Sequence, residues 1–145
     1  MRSALDNIHQ WRGIALTQDC PFCDVQPERV VAETALTLTI RDRFPVSPGH
    51  SLVIPRRHFD DLFDASEGEI AEIWQALRLA AADLTRGHAP DGFNVGVNVG
   101  AAAGQTVMHL HWHLIPRYRG DQPDPRGGIR RIFPALADYW TARNL

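Results

Sequence analysis

The hydrophobic positions along the chain follow two different periods, which divide it into strands and helices. Between residues 29 and 40, apolar residues alternate with Thr37 and Thr39, and this alternation predicts two short strands separated near Thr34. Residues 41–49 contain two prolines and a glycine and are predicted to form a loop. The next strand is predicted for residues 51–54, so the first half of the chain supplies a run of short strands.

The longest predicted element is a helix from Ser66 to Arg86. Ser66 and Glu69 have the spacing of a capping box, in which the two side chains bind each other's backbone amides at the helix start. Apolar residues then recur at helical spacing and form one face, namely Ile70, Ile73, Trp74, Leu77, Ala80, Ala81 and Leu84. Gly87 is expected to end this helix.

Two further alternating segments, 93–99 and 107–115, are joined by a loop of small residues, which predicts an antiparallel hairpin. Residues 120–128 are rich in Asp, Pro and Gly and predict a surface loop. Short terminal helices are expected at 4–13 and 136–143. Because the strands precede a single long helix and a hairpin follows it, the order favours an α+β fold over alternating βαβ units.

The composition is that of one ordinary globular domain, with 145 residues, 44% of them hydrophobic and 22% charged. We expect a single domain over 20–145, preceded by an extension over 1–19. The net charge of -2 does not favour nucleic acid polymers or membranes as partners. All 15 basic residues are Arg, which excludes lysine-based P-loop and pyridoxal chemistry. We expect no organic cofactor, and the lack of a long apolar segment predicts a cytoplasmic protein.

Three histidines, His109, His111 and His113, alternate within the last predicted strand, where alternate residues share one face. They could form a solvated polar face. They could also bind a metal, although same-face neighbours on one strand are about 6.5–7 Å apart. A third interpretation is that one imidazole attacks phosphorus, with amides of the preceding loop, residues 100–106, close to the phosphate.

Cys20 and Cys23 form a Cys-x-x-Cys pair that allows three interpretations. A thioredoxin-like redox pair would require a βαβ context, which this chain does not show. The two residues could also be inert buried thiols. Alternatively, they could form half of a tetrahedral zinc site.

The segment from Asn98 to Arg117, Asn-x-Gly-x-x-x-Gly-Gln-Thr-x-x-His-x-His-x-His-Leu-Ile-Pro-Arg, resembles the histidine-triad (HIT) superfamily of nucleotide hydrolases and transferases. The segment from Asp42 to His58 is similar to that family's second signature, so the resemblance covers roughly residues 20–133. It implies a five-stranded antiparallel sheet with one long helix, and pairing of two copies into a homodimer. The similarity extends to the branch of bacterial proteins near the dinucleoside polyphosphate hydrolases.

The resemblance also assigns roles to residues. His111 is expected to be the nucleophile that is transiently nucleotidylated, with His113 orienting it and His50 behind the triad. The positions expected to contact phosphate, leaving group, ribose or base are Asn98, Gln105, Thr106, Asp42, Phe22 and Ile40. Arg117 is a further candidate, because a guanidinium can bind phosphate with two hydrogen bonds.

In zinc-bearing members of the superfamily, the metal ligands match Cys20, Cys23, His58 and His109, which implies a structural zinc ion here. The expected activity is hydrolysis at the α-phosphate of a diadenosine polyphosphate, such as diadenosine tetraphosphate, or of an adenosine phosphoramidate. The alternatives are a nucleotide-binding module with little turnover, a dinucleoside polyphosphate phosphorylase and a redox protein.

Overall fold

The computed structural model describes residues 20–141, which form a five-stranded antiparallel sheet with a long helix against one face. The strands are β1 (Val30–Glu33), β2 (Thr37–Arg41), β3 (Ser51–Pro55), β4 (Gly92–Val97) and β5 (Trp112–Arg117), in the spatial order β1-β2-β3-β5-β4. The helices are α1 (Glu67–His88) and α2 (Pro134–Ala137), and short 3-10 turns cover Pro27–Arg29, Leu62–Asp64, Ala101–Ala103 and Gly128–Ile132. The predicted α+β class is confirmed. The helix expected at 4–13, and the boundary after residue 19, lie outside the described residues.

Helix α1 begins where the sequence predicts. The Ser66 hydroxyl accepts from the Glu69 amide, and the Glu69 carboxylate accepts from the Ser66 amide, so both bonds of the capping box are present. The predicted end at Gly87 is wrong, because the helix continues to His88 and ends at Ala89, whose φ of 45° is left-handed. The next residue is Pro90, which disfavours helical backbone at the residue before it.

The predicted hairpin is confirmed as the antiparallel pair of β4 and β5, but both strands are shorter than expected. Strand β4 ends at Val97, and β5 begins at Trp112, which pairs with Val97 on one side and Val53 on the other. Residues 109 and 111 therefore precede the strand, and the argument that places three histidines on one strand face is wrong. The reason is the register of β3, in which Ile54 and Pro55 pair only with β2. The residues before Trp112 therefore have no partner on β3, and β5 begins at Trp112.

The two faces of the sheet bury different clusters. Leu110 and Leu114 are buried with the apolar face of α1, as the alternating pattern predicts. The opposite side buries a smaller cluster made of Phe22, Ile40, Leu52 and Ile54.

The C-terminal helix predicted for 136–143 has wrong bounds, since α2 covers only Pro134–Ala137. The helix begins at Pro134, because the fixed φ of proline suits the first helical position, and the backbone becomes extended at Asp138. The Asp138 carboxylate then accepts from the amide and the hydroxyl of Thr141. Within residues 20–141, no helix is long and apolar enough to cross a membrane.

Candidate active site and metal centre

His111 is held with one ring nitrogen available for chemistry. Its Nδ1 lies 2.8 Å from the backbone oxygen of His109, which can only accept, so Nδ1 carries the proton. In the neutral ring, Nε2 therefore has a free lone pair. The residue is buried, and the rings of Phe22 and His113 lie against it, with centroid distances of 5.0 and 5.1 Å. This geometry is that of an oriented imidazole nucleophile.

A hydrogen bond joins His113 to His50, the residue directly before β3. The Val46 amide donates to His50 Nδ1 at 3.3 Å, so the proton of the neutral ring lies on Nε2. His50 Nε2 is 3.0 Å from His113 Nδ1 and 3.5 Å from a carboxylate oxygen of Asp42. His113 Nδ1 is therefore the acceptor, and the proton of His113 is on Nε2.

This assignment distinguishes the cluster of Asp42, His50 and His113 from a metal centre. Their potential ligand atoms all lie within 4.8 Å of one another. His50 Nε2 is nevertheless a hydrogen-bond donor here, because the Val46 amide occupies the other nitrogen. A protonated nitrogen has no lone pair for a metal ion, so the three side chains form a proton-carrying chain.

Burial keeps this chain neutral. The pKa of His113 is lowered to about 4, chiefly by burial and also by the neighbouring rings of His111 and His50, while Asp42 opposes the shift. Burial likewise lowers the pKa of His50 against the opposing effect of Asp42. Both rings are therefore uncharged near pH 7.

A second group brings together the four residues expected to bind zinc. The ligand atoms of Cys20, Cys23, His58 and His109 lie within 4.8 Å of one another. His109 Nδ1 is 3.4 and 3.5 Å from the two sulfur atoms, and His58 Nδ1 is 3.1 Å from Cys23 Sγ. Tetrahedral zinc with ordinary bond lengths would set nitrogen and sulfur about 3.5 Å apart, so the spacing fits the ion.

The tautomer of His109 fits a metal as well. Its Nε2 lies 2.8 Å from the backbone oxygen of Pro55 and must donate, which leaves the Nδ1 lone pair directed at the thiols. The side chain is fully buried, and burial lowers its pKa. His109 thus has the orientation and the neutral form that a zinc ligand needs.

Gln105 stabilises the loop of residues 100–106, which precedes the three histidines, through side-chain hydrogen bonds. Its side-chain oxygen accepts from the Gly100 amide at 2.7 Å, and its side-chain nitrogen donates to the carbonyls of Asp60 and Val107. The residue is 4% exposed. A direct contact between Gln105 and phosphate stays a prediction, and it would replace one of these bonds.

Two other predicted contacts, Asn98 and Thr106, flank this loop. Asn98 is half-buried beyond the end of β4, and Thr106 is exposed. Neither side chain has a hydrogen-bond partner among residues 20–141, so both are available to a ligand. Their roles stay predictions.

The structure gives three further predicted binding residues internal partners. Phe22 and Ile40 belong to the buried cluster, where Ile40 has no exposed surface. Arg117 binds both carboxylate oxygens of Asp121, at 2.7 and 2.8 Å, and also contacts Asn94. The charge of the Arg117 guanidinium, which was expected to bind phosphate, is therefore already balanced by Asp121.

Arg57 pairs with Glu69, which the sequence does not predict. Two hydrogen bonds of 2.8 Å join the guanidinium to the carboxylate, and the same guanidinium lies 4.0 Å from the centre of the Phe59 ring. His58 lies between Arg57 and Phe59 in the sequence, so the pairing of Arg57 anchors the loop that carries this candidate metal ligand. The capping box identified Glu69, but no local pattern indicates its partner twelve residues earlier.

Comparison with known proteins identifies the family. The model of the HIT domain matches residues 24–120. The chain belongs to the HIT family. This HIT protein is 36% identical over 110 residues to adenylylsulfatase HINT3 of Arabidopsis thaliana, covering 73% of this chain and 56% of that protein.

Two more relatives of the HIT chain have named activities. AP-4-A phosphorylase of Mycobacterium tuberculosis is 38% identical over 93 residues, which cover 63% of this chain and 48% of that protein. Adenosine 5'-monophosphoramidase hnt1 of Schizosaccharomyces pombe is 35% identical over 102 residues, covering 68% and 74%.

A similar solved structure is a Zn-bound histidine triad family protein from Mycobacterium smegmatis. It has 35% sequence identity to this HIT chain and a TM-score of 0.65, and the match covers 72% of this chain and 84% of that one.

Proposed function

We propose that this HIT protein hydrolyses a nucleoside phosphate at its α-phosphate through a nucleotidyl-His111 intermediate, releasing a nucleoside monophosphate. The observation that carries the proposal is the tautomer of His111, whose Nδ1 donates to the backbone of residue 109 and leaves Nε2 free to attack. Relatives named as an adenylylsulfatase, a phosphorylase of AP-4-A and a monophosphoramidase support substrates with a phosphorus-linked leaving group.

The proposed reaction has two displacements at phosphorus. In the first, His111 Nε2 forms a bond to phosphorus, and the bond to the leaving group breaks with its electron pair. The N–H at His113 Nε2 donates a hydrogen bond to the leaving atom, which takes its proton from solvent. In the second, water attacks phosphorus and releases a proton to solvent, and the electron pair of the phosphorus-nitrogen bond returns to His111.

The surrounding residues would stabilise these steps without a bound metal at phosphorus. We propose that backbone amides of the loop 100–106 bind the phosphoryl oxygens, because Gln105 holds that loop in one conformation. Thr106 and Asn98 would add polar contacts, and Asp42 would accept from the ribose hydroxyls. Burial lowers the pKa of His113 and of His50, so both rings stay neutral beside the reacting phosphate.

We propose a structural zinc ion at Cys20, Cys23, His58 and His109. The ion would fix the segment that holds Phe22 against the nucleophile, at 5.0 Å from the His111 ring. The Zn-bound relative from Mycobacterium smegmatis supports the assignment. Thiols kept for a metal also favour a reducing compartment, and we propose the cytoplasm.

We also propose a homodimer. Strand β4 is an edge of the sheet and pairs only with β5 among the strands of residues 20–141, so its outer side can pair with a second copy. On α1, Trp74 is 61% exposed and could also contact a second copy, whereas Leu77 is buried in the core of its own chain. Light scattering after gel filtration tests the dimer.

The proposed activity is tested with adenosine phosphoramidate, adenylyl sulfate and diadenosine tetraphosphate. We expect release of adenosine monophosphate by the wild type and an acid-labile nucleotidyl adduct after rapid quenching. His111→Ala should lose both, whereas His88→Ala, which changes an exposed histidine on α1, should keep both. Equal release by the wild type and His111→Ala would contradict the proposal.

Two alternatives are separate outcomes of the same experiment. Tight binding of adenosine monophosphate with background turnover would indicate a nucleotide-binding module. Formation of a nucleoside diphosphate in phosphate buffer would indicate a phosphorylase, because phosphate would then replace water in the second displacement.

A further inference from the structure

The residues just before β5 are held by backbone carbonyls of residues 55–60, which we call the support segment. Strand β5 begins at Trp112, so residues 105–111 pair with no strand. Three carbonyls of the support segment accept hydrogen bonds from them instead. The pairs are Pro55 with the His109 ring at 2.8 Å, Phe59 with the Leu110 amide at 2.6 Å, and Asp60 with the Gln105 side chain at 3.1 Å.

The orientation of His111 depends on one of these bonds. His111 Nδ1 donates to the backbone oxygen of His109 at 2.8 Å. This oxygen belongs to the peptide unit that joins His109 to Leu110, and the N–H of the same unit donates to the Phe59 carbonyl. Because a peptide unit is planar, the Phe59 carbonyl fixes the direction in which the His109 oxygen points. The position of Phe59 therefore controls how the nucleophile is held.

Arg57 attaches Phe59 to the first turn of α1. Two N–H groups of the guanidinium donate to the Glu69 carboxylate at 2.8 Å each, and one of them also lies 3.1 Å from the backbone oxygen of Asp64. The centre of the same guanidinium is 4.0 Å from the centre of the Phe59 ring. A planar guanidinium that binds a carboxylate with two parallel bonds and stacks on a ring has one orientation. Phe59 is thus fixed between the core cluster and Arg57.

The ion pair is a firm attachment because Glu69 is buried. The Glu69 side chain is 6% exposed, although that of Arg57 is 53% exposed. Separating the pair would leave a buried carboxylate without its cation, which is unfavourable. The neighbouring Arg56 pairs with Glu33 instead, and both of those side chains are over 40% exposed, where solvent screens the charges.

We propose that Arg57 and Glu69 are positioning residues for the nucleophile. Their ion pair fixes Phe59, the Phe59 carbonyl fixes the peptide unit of residues 109–110, and this unit orients His111 for attack. The inference rests on the proposed function, in which His111 attacks phosphorus. Misplacing a reacting group by about 1 Å can lower a rate about a hundredfold, so loss of the pair should slow nucleotidyl transfer at least about tenfold.

The kinetic experiment measures a single turnover of adenosine phosphoramidate. Arg57→Met removes the guanidinium and keeps the apolar length of the side chain, and Glu69→Gln removes the charge of its partner. We expect each change to slow formation of the His111 adduct at least about tenfold, while the affinity for adenosine monophosphate changes by less than about twofold. The matched control is Arg86→Met, which removes an exposed arginine paired with Asp83 on α1 and should leave the rate unchanged.

A double-mutant cycle separates positioning from a general loss of stability. Rates are measured at equal zinc content and at a temperature where every variant is folded. If the two residues act through one pair, the double variant should be no slower than Arg57→Met. Arg57→Lys keeps the charge but not the two parallel bonds, and it should recover part of the rate.

Three kinetic results would overturn the proposal. The first is a wild-type rate in both single variants, and the second is a double variant whose loss is the product of the two single losses. The third is a deficit that added zinc restores, because the pair would then act through the metal.

Nitrogen NMR of isotope-labelled histidine side chains separates this inference from the proposed activity. Without substrate, His111 of the wild type should hold its proton on Nδ1, whereas Arg57→Met should show a mixture of the two tautomers. The exposed His88 should give the same signals in both proteins. An unchanged His111 tautomer would overturn the inference even if hydrolysis depends on His111. A change to mixed tautomers would support it even if turnover by the wild type is at background.

Discussion

Replacing Glu69 with Gln tests the ion pair between Arg57 and Glu69, which holds the loop that carries His58. The carboxylate accepts two hydrogen bonds from Arg57 and one from the Ser66 amide, and its side chain is only 6% exposed. Gln keeps the size and one acceptor oxygen, so the capping bond can persist. The change therefore removes chiefly the charge that faces Arg57.

The pKa of Glu69 indicates the magnitude. The hydrogen bonds from Arg57 lower it from 4.5 to about 2, which outweighs the opposing effect of burial. At about 1.36 kcal/mol per pKa unit, this corresponds to at most about 3.4 kcal/mol. The Arg57 side chain is 53% exposed, so solvent screens the pair. We expect the free energy of unfolding to fall by about 2 kcal/mol, or the Tm by about 6 °C.

The assay is urea unfolding of the wild type and Glu69→Gln from pH 7 to pH 2.5. The folded pKa lies below the unfolded one, so the stabilisation is complete above pH 4.5 and is lost as the pH falls towards 2. The difference between the two proteins should narrow over this range. Glu67→Gln, an exposed acid in the same helical turn, is the matched control and should change stability by less than about 0.5 kcal/mol.

The reasoning is refuted if Glu69→Gln is as stable as Glu67→Gln at pH 7. It is also refuted if the difference from the wild type does not decrease below pH 4.5, since the effect would then not come from the charge.

Three further predictions concern the metal, the proton chain and the loop before β3. Cys23→Ser should abolish a zinc content near one ion per chain and lower the Tm, and chelation should lower the Tm of the wild type alone. The folded pKa of His113 is about 4, below its ordinary 6.5, so acidification from pH 6.5 to 4 should destabilise the wild type by about 1–2 kcal/mol more than His113→Gln in urea titrations. In thermal unfolding, Gly49→Ala should lower the free energy of unfolding by about 2 kcal/mol or more, because Gly49 has a φ of 86° and a Cβ there would lie 2.6 Å from Leu84. The control is Gly87→Ala on α1, where a Cβ meets open space, and this change should be neutral or stabilising.

Much of the fold was predictable because its elements carry local signals. The capping box at Ser66 and Glu69 depends on residues three apart, and the strands are marked by alternation between turn residues. The end of α1 was harder to predict. Gly87 is a permissive residue, but the helix continues to His88 and ends at the left-handed Ala89, which Pro90 follows.

The candidate site was predictable in part. Cys20, Cys23, His58 and His109 were named from their match to a family motif, and the structure brings their ligand atoms together. The roles expected for Gln105 and Arg117 could not be checked from the sequence, because any polar side chain can bind either a ligand or its own protein. Here both already have protein partners, in the loop at Gly100 and at Asp121 respectively.

The sequence by itself determined the element types, the family and the set of candidate site residues, because periodicity, caps and motif spacing are properties of neighbouring residues. Only the tertiary structure decided where β5 begins and which nitrogen of each histidine holds a proton. Those features depend on contacts between distant segments: Val53 with Trp112, Val46 with His50, and Pro55 with His109. Such contacts follow from strand register and packing, which no local pattern encodes.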